Sequence, residues 1–504
     1  MGSTFMGLET GRRALTTHQW ALQATGNNVA NASTAGYSRQ RLIMATTEQL
    51  TQSIGSGKVA QFGTGVRGEM IERMRDLMVD KQYRDESTKV GYYGAKIEAF
   101  GRMEDIINEP SDTGLAQAFD GFWESLETLS TNPQDSGARS VVRQKAETLS
   151  QTFNYMATSL EKVQGDIKSE IEVSVKKVND LLEKIHNVNK QIHEIEPMGV
   201  LPNDLYDERD RYFDELSEYI DFEKKPIDTE AITSGNMGNA VKTAEGRVDI
   251  ILKTPDPASD YVIELSKGVS RFDISSIGTA TDFKVGTTTL AIKDGLMNGK
   301  LRGLLEMHGY PGSSTDVSYA TMLTKLDTLA SEFATAFNTK HKENSVISSS
   351  GATPTPASDF FAPATGATIS AKTISLSSAI KASVYNIATS KDGNIGDSTG
   401  ALALADVKKD KVIDGNKTTV GSYYQSMIGD MGVAADQVGR LGKNAAVLLE
   451  NADQRRMSVS AVSIDEEMTL MIQYQHAYNA AARNITTVDE MLDKIINGMG
   501  LVGR

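Results

Sequence analysis

From Met471 to Met499 apolar side chains recur at alternating steps of three and four: Met471, Tyr474, Tyr478, Ala481, Ile485, Val488, Leu492, Ile495, Met499. A period of three and a half residues keeps one stripe facing a neighbouring helix turn after turn, which is what a coiled coil requires. The stripe therefore needs a second helix, from elsewhere in the chain or from another molecule. Near the N-terminus, residues 4–30 read as a helix in which Leu8, Leu15, Leu22 and Val29 recur every seven positions, with Ala14, Ala21 and Ala24 beside them. Gly26 and the Asn27/Asn28 pair weaken that helix, and Gly36 ends it. Assembly, rather than chemistry, is the leading expectation for a chain patterned this way.

At 504 residues the chain is too long for one core, so two to four domains are expected. Aromatic content of 6% favours elongated helical packing over a bulky globular core. A net charge of -14 argues against a nucleic-acid partner. Arg12, Arg13, Arg39 and Arg41 are too few to track a phosphate backbone, and read as solvated or locally paired. The absence of cysteine excludes disulfides, thiolate metal sites and a cysteine nucleophile together. No run approaches the roughly 18 apolar residues of a membrane span, so no membrane insertion is expected. Residues 9–20 carry Glu9, Arg12, Arg13, His18 and Gln19 where a signal peptide needs an apolar region, so export would use a route without a cleaved peptide.

Helical and β-like stretches are nested. Leu42, Ile43, Val59 and Val66 mark possible short strands in the Thr/Ser/Gly-rich stretch 41–68. A surface helix is expected from about Met70 to Asn108, stopped by Pro110. Between Pro133 and Pro197 no proline occurs, and apolar residues at Val142, Ala146, Leu149, Phe153, Met156, Leu160, Val163 and Ile167 continue as Ile171, Ser174, Val178, Leu181, Ile185, Val188, Ile192 and Ile195. That is one long rod-like helix, with a stutter at Val163–Ile167–Ile171 that would locally unwind a supercoil. A short helix follows from Pro202 to Ile220. Residues 221–294 then turn Thr-, Ser- and Val-rich, with strand-like pieces at Val248–Leu252 and Tyr261–Leu265. Helical periodicity returns at Tyr319–Asn338, residues 343–400 are again Ser/Thr/Gly/Ala-rich, and helices resume near Val420. The expected fold is an elongated α+β multidomain chain: a terminal helical coiled coil, a long-helix rod-like domain and an inserted β-rich middle domain. The expected division is 1–69 with 465–504 for the terminal part, 70–225 with 300–340 and 401–464 for the rod, and 226–299 with 341–400 for the β-rich part.

Patterns that hint at chemistry have plainer explanations. Gly63-Thr64-Gly65-Val66-Arg67-Gly68 fits the dinucleotide spacing, yet no βαβ unit surrounds it. Gly55-Ser56-Gly57-Lys58 lacks the rest of a phosphate loop. His186 and His193 lie seven apart, whereas ligation from one helix wants three or four. Asp465-Glu466-Glu467 suit the positive end of a helix dipole. Asn203 with the charged Asp204, Asp207, Glu208, Arg209, Asp210 and Arg211 reads as a capped helix with ion pairs at helical spacing. Nothing assembles a nucleophile, base and oxyanion site, so no enzyme activity, cofactor or metal is expected.

Four segments together resemble the bacterial flagellar axial proteins, and within them the hook-associated protein 1 family, the first hook–filament junction proteins. Asn28-Val29-Ala30-Asn31 with Thr34, Gly36, Tyr37, Ser38, Arg39 and Gln40 is similar to the N-terminal signature, which rod and hook proteins share. Phe62–Val66 followed by Arg73, Asp76, Asp80, Gln82, Tyr83 and Arg84 is similar to the start of the junction proteins' first long helix. Asn203-Asp204-Leu205-Tyr206-Asp207-Glu208-Arg209-Asp210 through Ser217 resembles their most characteristic internal motif. Glu466-Glu467, Gln473–Ala480 and Val488–Leu492 resemble the terminal helix of the class, in wording closest to Bacillus-like bacteria. Ala35 stands where the family usually has proline, which implies a less rigid turn. The stretches 226–300 and 341–400 carry no matching motif.

The resemblance implies a structural subunit of the extracellular flagellum. The terminal helices would form the innermost shell of a tube, the helical rod would surround it, and the β-rich part would face outward. A ring of copies would join the hook protein below to the second junction protein and filament above. Export would use the flagellar type III machine, with a cytoplasmic chaperone on the C-terminal helix beforehand. The terminal segments are expected to order on assembly. A hook or rod axial subunit is the nearest alternative; an enzyme carried in the middle part is a more distant one.

Overall fold

The computed structural model describes residues 5–53, 59–107, 114–254, 260–273, 282–291, 298–311, 317–346, 355–364, 368–394 and 396–498. Its axis is a 60-residue helix, α4 (Ser136–Ile195), longer than the four helices before and after it: α1 (Met6–Asn31), α2 (Leu77–Ile107), α3 (Leu115–Thr131) and α5 (Asn203–Tyr219). The Asp135 carboxylate caps α4 by accepting from the Gly137 amide, and Pro197 follows its end. Its buried face runs Val142, Ala146, Leu149, Phe153, Met156, Leu160, Ile167, Ile171, Ser174, Val178, Leu181, Ile185, Val188, Ile192. At the stutter the row steps over Val163, which is half-buried.

The short helix α6 (Thr229–Thr233) precedes α7 (Lys300–His308) and α8 (Tyr319–Lys342). After α9 (Ser378–Ala382) and α10 (Thr399–Asp406) come α11 (Val420–Ser460) and α12 (Ile464–Gly498), separated at 461–463. Near the N-terminus β1 (Gln40–Thr46) pairs antiparallel with β4 (Val66–Arg73), and β2 (Leu50–Ser53) with β3 (Val59–Phe62). Residues 70–73, expected to open a helix, are instead the end of β4. Their backbone is committed to β1, and α2 starts only after Asp76, whose carboxylate accepts from the Met78 amide. Helix α3 was absent from the sequence reading, although Leu115, Phe119, Phe122, Trp123, Leu126 and Leu129 share its buried face.

The β-rich stretches form small antiparallel sheets. β5 (Phe222–Pro226), β6 (Val248–Leu252) and β7 (Tyr261–Ile263) make one, and β8 (Phe272–Asp273), β9 (Asp282–Val285) and β10 (Thr288–Ala291) another. β11 (Ser345–Val346) pairs with β12 (Thr355–Pro356), and β13 (Phe361–Pro363) with β14 (Ile374–Leu376). Their apolar residues share one hydrophobic cluster with the long helices, from Phe100 and Leu149 to Ile250, Phe283, Phe361 and Ile374. The aromatic residues are few but concentrated. Seven of the fourteen phenylalanines (Phe119, Phe122, Phe153, Phe333, Phe337, Phe360, Phe361) meet around Trp123, joining α3, α4, α8 and β13 at centroid distances of 4.9–6.3 Å. That cluster gathers the chain's few aromatic residues into one place within the helical packing.

Polar side chains of α4 fasten these layers by bonding to backbone that has no strand partner on that side. Arg139 donates to the carbonyls of Pro133 (2.9 Å) and Ile387 (2.7 Å), and Asn154 donates to that of Ala371 (2.9 Å). Asn179 donates to the Phe272 carbonyl (2.9 Å) and accepts from its amide (2.7 Å). His186 Nδ1 lies 2.7 Å from the Leu265 carbonyl, and Asn189 donates to that of Val248 (2.8 Å).

Candidate assembly interface

Helices α1 and α12 pack antiparallel. Gly7 faces Val488, Gly11 faces Ile485 and Ala481, His18 stacks on Tyr474 at 6.2 Å, and Asn28 reaches Glu467. A Cβ on Gly11 would stand 2.7 Å from Ile485 Cγ1, so the absent side chain is what allows the close approach. The contacts that α1 makes with α12 through Gly7, Gly11, His18 and Asn28 thus run through small and polar residues. Leu8, Leu15, Leu22 and Val29 lie on the adjoining row and are half-buried. On α12, Met471, Tyr474, Tyr478, Ile485, Val488 and Leu492 are half-buried, Ala481 is buried and Ile495 is exposed; Met499 lies outside the described residues. The hairpin of β1 and β4 covers another side of α1, with Thr10 against Gly65 and Trp20 against Gly68.

The turn after α1 is organised by one carboxamide. Asn28 Oδ1 accepts from the Gln40 amide (2.9 Å) and the Tyr37 hydroxyl (2.9 Å). Its Nδ2 donates to the Gln40 carbonyl (2.8 Å) and to Glu467 Oε2 (2.9 Å). Burial, then Asp207, pushes the Tyr37 phenol up, which keeps it a donor. Asn31 donates to Asn27 and accepts from Thr34, and Gly36 takes a left-handed φ of +80° against Arg211. Arg39 donates through Nε to Glu467 Oε1 (2.7 Å) and through a terminal nitrogen to Glu466 (2.8 Å). The first-turn carboxylates of α12 therefore hold specific partners besides facing the helix dipole.

From this turn the chain enters a buried ionic joint on α5. Asp207 accepts from the Ser38 amide (3.0 Å), its hydroxyl (2.6 Å) and Arg73 (2.7 Å). Asp210 lies among Arg73, Arg75, Arg84 and Lys224, and Asp214 takes Arg84 (2.7 Å) on one oxygen and Arg456 (2.7 Å) on the other. Arg209 donates to the Gly246 carbonyl (2.6 Å) and to Glu245 (2.7 Å), and Glu245 also pairs with Arg73. Arg75 also pairs with Asp80 (2.8 Å). Six cations (Arg73, Arg75, Arg84, Arg209, Lys224 and Arg456) thus face five carboxylates (Asp80, Asp207, Asp210, Asp214 and Glu245), and Arg456 also pairs with Asp453 (2.8 Å). Burial alone would raise the Asp210 carboxyl, but Lys224, Arg75, Arg73 and Arg84 hold it well below the carboxylate range. Burial lowers Lys224 despite Asp210 beside it.

These partners correct the reading of α5 as a capped helix with pairs at helical spacing. Pro202 at its start makes no side-chain cap, and Asp207, Asp210 and Asp214 line one face that bonds to distant segments. Asn203 ties the Ile71 carbonyl (2.9 Å), Leu205 packs beside Tyr206, Val188 and Ile192, and Asp204 is exposed. Arg73, Arg75, Lys224, Glu245 and Arg456 had no assigned partners in the sequence; an aspartate at every third or fourth position of α5 was the available signal.

The dinucleotide-like glycines lead into β4 instead of a helix, and Gly55–Lys58 lie outside the described residues. Among the described residues no three His, Asp or Glu side chains converge as a metal site, and no helix is long and apolar enough to cross a membrane.

The family model described as the helical domain of flagellar hook-associated protein FlgK matches residues 100–361. Flagellar hook-associated protein 1 of Bacillus subtilis is 42% identical over 523 residues, covering 100% of both chains. The chain belongs to the hook-associated protein 1 family. The hook-associated protein 1 of Salmonella typhimurium is 23% identical, covering 95% of this chain and 97% of its own. The flagellar hook junction protein FlgK of Burkholderia pseudomallei has the same fold, with a TM-score of 0.57 at 14% identity, covering 75% of this chain and 100% of its own. Models of flagellar basal body rod proteins match the two ends of this hook-associated protein 1 relative, at residues 8–37 and 453–498. The α1–α12 pair thus sits in segments common to the axial class, and much of the ionic joint and aromatic cluster in the part particular to the hook-associated family.

Proposed function

We propose that the chain is a structural subunit of the bacterial flagellum, forming the hook–filament junction that adapts the hook to the filament. The full-length likeness to hook-associated protein 1 carries this reading. The role is architectural, not enzymatic. In it, the seam of Leu8, Leu15, Leu22 and Val29 with Met471, Tyr474, Tyr478, Ala481, Ile485, Val488, Leu492 and Ile495 packs against copies of the same chain in a ring. Half-burial of these rows in the single chain supports that, since apolar side chains left half-covered gain from further burial.

Residues 1–69 with 465–504 serve as the inner assembly part, 70–225 with 300–340 and 401–464 as the rod, and 226–299 with 341–400 as the outward part. Hook protein lies below, the second junction protein and filament above. The chain leaves by type III export with its N-terminus uncleaved, and a cytoplasmic chaperone shields the C-terminal helix first. A hook or rod subunit is the second reading, favoured by the rod-type matches at both ends; the hook-associated match over 100–361 weighs against it.

Deleting the gene in its native bacterium tests the choice. Hooks without filaments, and unpolymerised filament protein in the medium, are expected. Missing hooks would favour a rod or hook subunit, and normal filaments would overturn both.

A further inference from the structure

We propose that Asn28, Arg39 and Glu467 fix the axial register between α1 and α12, which their repeating seam leaves open. This rests on the reading of that pair as the assembly element. The α12 stripe repeats every seven residues, so sliding the helix by one heptad, about 10.5 Å at 1.5 Å per residue, exchanges one apolar neighbour for another. Val488 opposite Gly7 gives way to Ala481 or Ile495, and Ile485 opposite Gly11 to Tyr478 or Leu492. The opposing surface is undemanding where Gly7, Gly11 and Ala21 leave it smooth, and the ring of His18, stacked on Tyr474, is the bulky group within that track. Apolar burial therefore favours pairing but discriminates poorly among registers.

The polar contacts at the far end do not repeat. The Asn28 carboxamide uses all four of its hydrogen-bonding capacities, and three go to Tyr37 and Gln40, which fix its orientation. The fourth goes to a Glu467 carboxylate only 1% exposed, whose other oxygen takes Arg39. Either slide moves that carboxylate away from both partners and leaves the Asn28 amide and the Arg39 Nε without their bonds. A single buried polar contact in an apolar seam sets register at some cost in stability, and a buried charge tolerates only the geometry that pairs it.

The chain has no cysteine, so introduced thiols are the only ones present. In the purified full-length chain, G7C/V488C reports the observed register, while G7C/A481C and G7C/I495C report a slide of one heptad either way. Under mild oxidation only the first is expected to close in the parent. In N28L/E467L, which replaces the lock by apolar side chains, helices are expected to pair still, with disulfides spread over all three reporters. E467Q keeps an acceptor for Asn28 but loses the charge facing Arg39, and is expected to show a smaller spread. Retention of G7C/V488C closure at parental yield in N28L/E467L, with the other two at background, would overturn the proposal. So would loss of all three disulfides, since the lock would then hold the helices together without choosing their register. Failure of G7C/V488C to close in the parent would instead overturn the helix pair on which the proposal rests.

Discussion

The molecule contains two antiparallel helix pairs built on related patterns, α1 with α12 and α2 with α11. In the second, Gly442 lies under Ile97 and Tyr93, as Gly11 lies under Ile485 in the first, and the Arg456 guanidinium sits 3.7 Å over the Tyr83 ring. Their surroundings differ. Seven side chains of α11, including Tyr424, Met427, Met431 and Val438, are buried, and the far face of α2 packs through Ala95, Phe100 and Met103 into the main cluster. Among the described residues of α12 only Glu467 and Ala481 are buried, while Ile464, Met468, Ile472, Met491 and Ile495 are exposed. A seam between two helices covers one stripe of each; a third layer is needed before either is buried. For the second pair that layer is the main hydrophobic cluster behind α2; in the first, β1 and β4 lie against α1, and most of α12 stays uncovered.

The largest effect should come from the joint that connects the two pairs. Asp210→Ala leaves Arg73, Arg75, Arg84 and Lys224 around an empty position, and should cost roughly 3–5 kcal/mol in urea unfolding. Because the folded Asp210 carboxyl is held low, its contribution is complete above the unfolded value of about 3.9 and disappears as pH falls through the folded one.

Next, truncating one apolar residue on α11 and one on α12 should separate the pairs. Met431→Ala on α11 should cost about 2–4 kcal/mol of global stability, whereas Ile485→Ala on half-buried α12 should cost less than about 1 kcal/mol by the area it exposes. Assembly should reverse the ranking: Tyr478→Asp, Ile485→Asp or Leu492→Asp should abolish filaments while near-ultraviolet circular dichroism of the rod stays native. Unimpaired filaments would remove the seam from assembly.

Acid should narrow that contrast by acting on the well-packed part, at His341 of α8. Burial holds His341 neutral, lowered to about 4, with Nε2 accepting from the Ala388 amide. The unfolded chain takes that proton first, so the stabilisation is complete above about pH 6.5 and is lost as pH falls toward 4, at about 1.4 kcal/mol per pH unit. Thermal melts between pH 7 and 5 should show this slope, and His341→Gln should flatten it. The smallest effect is kinetic: in the free chain, amides of 471–498 should exchange faster than those of 424–452. Equal protection would erase the distinction between the pairs.

What was legible follows from range. The 60-residue α4 stood out because its apolar period ran between two prolines with a single stutter, and α1, α8 and α12 carried comparable periods. β4 was missed at its end because Met70, Ile71, Glu72 and Arg73 do not alternate and run up to a real helix. On α1 the leucines drew the eye, while Gly7, Gly11 and Asn28, which carry little hydrophobic weight, make the close contacts. The joint was the least readable part: Asp207 meets Ser38 across 169 positions and Asp214 meets Arg456 across 242, distances that no local spacing encodes. The aspartates were visible, but their partners were not.

One consequence of α4 concerns length. Sixty residues at 1.5 Å each span about 90 Å, and this single rigid element carries fixed attachment points from Arg139 near one end to Asn189 near the other. It acts as a gauge. Each added heptad between Asn154 and Asn179 would move the two sets of attachments about 10.5 Å apart along the axis, out of reach of the backbone they now hold. The axial spacing of those attachments is thereby written in the residue count of one helix, and every loop fastened to it inherits that measure.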